Sequence, residues 1–122
     1  MMAYVDRTNV HHAELQSLRR TIAGGTGLAS TGGFGPRYLH STGQLHKGGP
    51  NTGLFLQITH TTADDVTVPD VGYTFGVLQR AQALGDLTAL RDAGRRVVRV
   101  HIQGDVISGL SVLGEAATAA LS

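Results

Sequence analysis

The sequence predicts a small three-layer α/β domain built on a short parallel sheet and interrupted by a long glycine-rich loop. Runs of β-prone residues alternate with helical patterns along the chain, and such alternation implies right-handed crossovers into a parallel sheet. The length, 122 residues, is that of one domain, so residues 1–122 are expected to form a single unit. The third observation is the stretch 26–53, which follows neither a helical nor a strand period.

The elements follow in order. Ala3 to Asp6 is a short apolar start that reads as a strand. Thr8 or Asn9 supplies a side-chain oxygen for an orphan N–H at a helix start. Leu15, Leu18 and Ile22 then fall at helical spacing with Arg19 and Arg20 on the other side, and Gly24-Gly25 is expected to stop the helix. Thr26 to Gly53 is dense in glycine, carries two prolines, and reads as a loop with at most a short helix. A loop of that length is usually disordered or functional, and Phe34, Tyr38, Leu39 and Leu45 do not suit a disordered linker.

Leu54 to Thr59 is a second strand, and Thr61 to Val71 a polar loop. Thr74 can cap a helix in which Phe75, Leu78, Ala81, Leu84, Leu87 and Leu90 recur every three residues and read as core, with Gly94 ending it. Val97 to Ile102 is a third strand, with Arg95-Arg96 as its solvated lead-in. Asp105 caps a last helix whose apolar stripe is Val106, Ile107, Leu110, Leu113, Ala117 and Leu121. Three strands and three helices result.

Composition narrows the function. Ten basic and nine acidic side chains nearly cancel, the basic ones form no patch, and aromatics are few, so a nucleic-acid partner is not expected. No apolar run approaches the ~20 residues of a membrane span, and the start shows no secretory leader, so the chain reads as cytoplasmic. Cysteine is absent, which removes disulfides and thiolate metal sites. Nine of the ten cations are Arg, and Lys47 is the one lysine. Lys is the compact point charge whose pKa responds most to its surroundings.

Lys47 lies in the segment Gly33 to Gly53, which concentrates His40, His46, Arg37, Gln44, Tyr38, Ser41, Thr42 and Thr52 among glycines. Glycine lets backbone approach a ligand closely, and imidazole titrates near neutral pH. A sugar or sugar phosphate calls for this kit: amides and hydroxyls for its hydroxyls, a proton donor, and cations for developing negative charge. The Gly-Lys-Ser/Thr ending of a phosphate-binding loop is absent. His40 and His46 have no third ligand beside them, so neither a metal nor another cofactor is expected. His11, His12 and His60 read as surface residues and His101 as a structural histidine.

The stretch Gly33 to Gly53 resembles the C-terminal region of glucose-6-phosphate isomerases, in the form fused behind transaldolase in some bacteria. Tyr73-Thr74-Phe75-Gly76-Val77-Leu78, Ala81-Gln82-Ala83-Leu84-Gly85-Asp86 and the tail Arg95 to Ile102 are similar to the same family. The resemblance implies a sugar-isomerase-like α/β fold and a cytoplasmic, metal-free enzyme of carbohydrate metabolism. That enzyme interconverts glucose 6-phosphate and fructose 6-phosphate in glycolysis and gluconeogenesis. Its parts are an acid that opens the ring, a glutamate that moves a proton through an enediolate, and cations that steady the charge.

Carried onto this chain, the resemblance makes 26–53 the active-site loop. The ring-opening histidine of the wider family follows a Gly-Gln pair, here Gly43-Gln44 with Leu45 interposed. His46 is therefore favoured, with His40 as the other candidate and Lys47 beside it to stabilise charge. Arg37, Ser41, Thr42, Gly43 and Gln44 are the expected substrate contacts. Where the family has a lysine on a late helix this chain has Gln79, Arg80 and Gln82, and Arg80 is the substitute. The family's glutamate and phosphate loops lie upstream of this region. Here the glutamates are Glu14 and Glu115 only, both read as helix-surface residues.

The chain is thus expected to be the C-terminal part of a longer isomerase, inactive by itself. Its expected partners are a sugar phosphate, an N-terminal isomerase domain in the same or another chain, and a second copy in a homodimer. The alternative is a non-catalytic sugar-phosphate-binding or dimerisation module.

Overall fold

A three-residue strand organises the molecule: β1 (Met2–Tyr4) is buried at every position. The structure is a computed structural model that describes every residue except Ser41, and of Leu39 and His40 the backbone alone. After β1 come α1 (Asn9–Thr26), β2 (Gly33–Phe34), a 3-10 helix (Arg37–His40) and α2 (Gly43–Gly48). They are followed by β3 (Leu54–His60), α3 (Phe75–Asp92), β4 (Arg96–Ile102) and α4 (Val106–Leu121). The strand order is β2-β1-β3-β4, and every pairing is parallel.

Successive side chains of a strand point to opposite faces. Ala3 and Val5 join Ile58, Ile102 and the helix residues Leu15, Leu18, Val106 and Leu110 in one core. Met2 and Tyr4 join Ala83 and Leu90 in a second, with Tyr38, Phe55 and Val97 against it. Helices α1 and α4 therefore cover one face and pack on each other, while α2 and α3 cover the other. This is the three-layer α/β arrangement the sequence predicts.

The helix starts are where the sequence places them. Thr8 accepts from the N–H of His11, Thr74 from that of Val77, and Asp105 from that of Ser108. The Gly24-Gly25 stop is corrected: α1 runs on to Thr26 and ends at Gly27, whose φ of 68° is left-handed. Gly25 stays helical because it seats the end of α4. A Cβ there would lie 2.8 Å from the Leu121 side chain.

The sheet has four strands rather than three. Gly33–Phe34 pairs with Met2 and Ala3, and two residues are too few to show an alternating pattern. The 26–53 stretch consequently holds a strand, a 3-10 turn and a short helix.

The three-residue stripe of α3 is also corrected. A step of three residues turns a helix by about 300°, so such a stripe spirals around the axis instead of keeping one face. Leu87 and Leu90 meet the sheet, whereas Phe75, Leu78, Ala81 and Leu84 are exposed. On α4, Val106 and Leu110 are buried, Leu113 and Ala117 pack against the core, and Ile107 and Leu121 lie at the surface. No helix among the described residues is long and apolar enough to cross a membrane.

Candidate functional site

The glycine-rich segment folds over the α3 side of β1. Gly35 lies on the Tyr4 ring, where a Cβ would come within 2.6 Å of the aromatic carbons, so a side chain cannot be accommodated without displacing that ring. The Tyr4 phenol donates to Asp86 Oδ2 and shares a 3.2 Å hydrogen bond with the Tyr38 hydroxyl. Burial, then the bond to Asp86, pushes the Tyr4 phenol far above its ordinary value. Tyr38 is pushed up to about 12, chiefly by burial.

Six residues do not make a stable helix alone, so α2 is held by tertiary contacts. Thr42 donates to the carbonyl of Tyr38 at 3.0 Å. Lys47 Nζ lies 2.8 Å from Asp86 Oδ1, a pair in which the carboxylate is buried and the lysine partly exposed. Arg95 Nη2 donates to the carbonyls of Lys47 at 2.8 Å and Gly49 at 2.6 Å, closing the C-terminal end of the helix. Arg95 is thus an anchor and not a solvated strand end. Arg19 is corrected in the same way: it donates to Gln16 and to the Ser30 carbonyl.

His46 rides on this anchored turn. Its ring centroid lies 5.9 Å from that of Tyr38 and 5.1 Å from that of Phe55 on β3. Its Nδ1 is buried without a hydrogen-bond partner. Burial lowers the imidazole pKa, the positive charges of the N-terminus and Lys47 push the same way, and Asp86 opposes them. Burial thus favours the neutral form of an imidazole set beside two aromatic rings.

The structure brings together some expected site residues and separates others. His46, Lys47, Thr42 and buried Gly43 belong to one turn, with Gln44 exposed on it and Arg37 exposed on the preceding 3-10 helix. Ser41 and the side chain of His40 lie outside the described residues. Arg80 is exposed on α3 and acts on Asp65, whereas Asp86, further along the helix, meets Lys47. Glu14 and Glu115 line an open groove of about 490 Å³ between α1 and α4, across the sheet from His46. Among the described residues no group of three or more His, Cys, Asp or Glu side chains is placed to hold a metal.

Two features escaped the sequence. Asp86 reads there as one charge in a helix, and its partners are 39 and 82 positions away. The second is a crevice of about 350 Å³ at the carboxyl ends of β1 and β3, lined by Asp6, Thr62, Asp65, Phe75, Gln79 and Gln82. The chain leaves β1 toward one face and β3 toward the other, which is where doubly wound sheets open a crevice. Its lining comes from separate segments, so no local motif announces it.

No protein-family model and no curated protein matches the chain. Among solved structures, the fold is found in a hypothetical protein from Thermus thermophilus, with a TM-score of 0.73 and 23% identity. The match covers 98% of this chain and 34% of that one, so the chain spans about a third of that protein's length. At this identity the likeness shows a shared fold.

Proposed function

We propose that the chain is the C-terminal part of a glucose-6-phosphate isomerase, supplying the ring-opening histidine, His46, but not the proton-transferring glutamate. The observation that carries this reading is the environment of His46. A neutral imidazole can take the proton of the anomeric hydroxyl and return one to the ring oxygen, which opens the ring without net proton change. The aromatic walls of Tyr38 and Phe55 favour that neutral form.

Two further observations support a divided active site. Both glutamates of the chain sit on the far face of the sheet, away from His46. At the starts of α1, α3 and α4 capping side chains already take one or two of the N-terminal amides that a phosphate would use: Thr8 takes that of His11, Thr74 and Asp65 those of Val77 and Gly76, and Asp105 that of Ser108. The phosphate site and the glutamate then belong to an N-terminal isomerase domain, in the same or a partner chain. A transaldolase domain further upstream, cytoplasmic location and a homodimer belong to the same reading.

Lys47 has a changed part in it. Its charge is committed to Asp86, so Arg37, exposed beside the helix, is the cation available to the substrate, and Gln44 a donor to sugar hydroxyls.

The test is an NMR titration of the chain with fructose 6-phosphate. Shifts confined to Gly33–Gly53 and the His46 imidazole are expected, with no isomerase turnover by the chain alone. A silent His46 at millimolar ligand, or robust turnover, would overturn the reading.

A further inference from the structure

We infer that Asp86 is a positioning residue for His46, acting through Lys47 to hold α2 against the sheet with the imidazole between Tyr38 and Phe55. The inference rests on the isomerase reading only for what His46 is there to do.

The geometry makes Asp86 the fixed point. Its side chain is 5% exposed, it lies on the sheet-facing side of α3, and it accepts from Tyr4 on the central strand. One carboxylate oxygen thus faces the core and the other faces Lys47. Lys47 follows His46 directly, so the ion pair fixes the backbone that carries the imidazole. α2 has little else to hold it. Gln44, Leu45 and Gly48 are exposed, and among the described residues the other hydrogen-bonded ties are Thr42 at the start of the helix and Arg95 on its last carbonyls. A buried carboxylate costs desolvation that its partners must offset, which makes this pair a registry device more than a source of stability.

Placement and charge predict opposite signs. The groups around the imidazole are Tyr38 on the 3-10 helix, Phe55 on β3, Lys47 on its own helix, Asp86 on α3, Arg95 after α3, and the N-terminal amine. If Asp86 acted on His46 only by its charge, Asp86→Asn would remove a favourable neighbour and His46 would titrate at lower pH. If Asp86 positions it, the freed helix releases the ring to solvent, the burial effect is relieved, and His46 titrates at higher pH.

The experiment follows histidine Cε1–H shifts against pH in the wild type, Asp86→Asn, Lys47→Met and Lys47→Arg, together with proton contacts between His46 and Phe55. The proposal requires an upward shift and lost contacts in Asp86→Asn, lost contacts in Lys47→Met, and wild-type behaviour in Lys47→Arg. A downward or absent shift in Asp86→Asn overturns it. Should that variant not fold, a retained His46–Phe55 contact in Lys47→Met overturns it instead. Sugar-phosphate shifts at His46 judge the isomerase reading separately, so either idea can fail alone.

Discussion

The phenol of Tyr4, at the end of β1, donates its hydrogen to the carboxylate of Asp86 in the middle of α3, 82 positions along the chain. This bond joins the central strand to the helix layer over it. A hydrogen bond to a buried charged group contributes about 1.5–3 kcal/mol, and a donor lost there leaves the acceptor short of partners. Tyr4→Phe keeps the ring under Gly35 and removes only the hydroxyl. The expected loss is about 2 kcal/mol, read as a lower urea midpoint at unchanged slope. A midpoint equal to the wild type would show that Lys47 alone satisfies Asp86.

Alkaline pH should weaken the fold. The Tyr38 phenol is held at about 12 in the folded chain against an ordinary value of 10.0, and Tyr4 is raised as well, both chiefly by burial. A raised folded-state pKa contributes stability that is complete below the unfolded value and is lost as pH rises through the folded one. The contribution of the two phenols should therefore be level below pH 10.0 and decline above it, that of Tyr38 between there and about 12. Tyr38→Phe should flatten part of that decline. Denaturant melts across the range, with phenolate absorbance in parallel, would measure it, and a flat profile would contradict the burial of both rings.

The spiral of α3 makes two leucines three residues apart behave differently. Leu87 is 3% exposed and Leu84 is 55% exposed. Leu87→Ala should cost about 2–5 kcal/mol and Leu84→Ala about 0.5 kcal/mol or less. Thermal unfolding of the two variants would separate them. Equal losses would mean that Leu84 is covered in solution.

Two glycines of α4 should respond with opposite sign to the same substitution. A Cβ on Gly109 would collide with the side chain of buried Ile102, while one on Gly114 meets nothing within 4 Å. Gly109→Ala should destabilise by about 1–3 kcal/mol as α4 is pushed from β4. Gly114→Ala should stabilise by up to about 1 kcal/mol through helix propensity alone. Calorimetry on both would test whether α4 seats as described.

The candidate site was legible as a segment and illegible as a geometry. The density of polar groups and glycine in Gly33–Gly53 marked the segment that carries His40, His46 and Lys47, since composition is a local property. It did not show that Lys47 is spoken for, because Asp86 is 39 positions away and no pattern along the chain links them. Arg95 escaped for the same reason: its acceptors are backbone carbonyls, which carry no sequence signal.

Local patterns along the chain were enough for the parallel α/β class, the two long strands and the three helix starts. Caps such as Thr8, Thr74 and Asp105, and runs such as Val97 to Ile102, act over a few residues, and their physics is complete within that span. Assembly of the layers settled the rest. It made Gly33–Phe34 a strand, turned four of the six residues of the α3 stripe to solvent, placed Glu14 and Glu115 across the sheet from His46, and bound Lys47 to Asp86. Each of these depends on which distant segments meet, and burial and pairing are set only when the layers close.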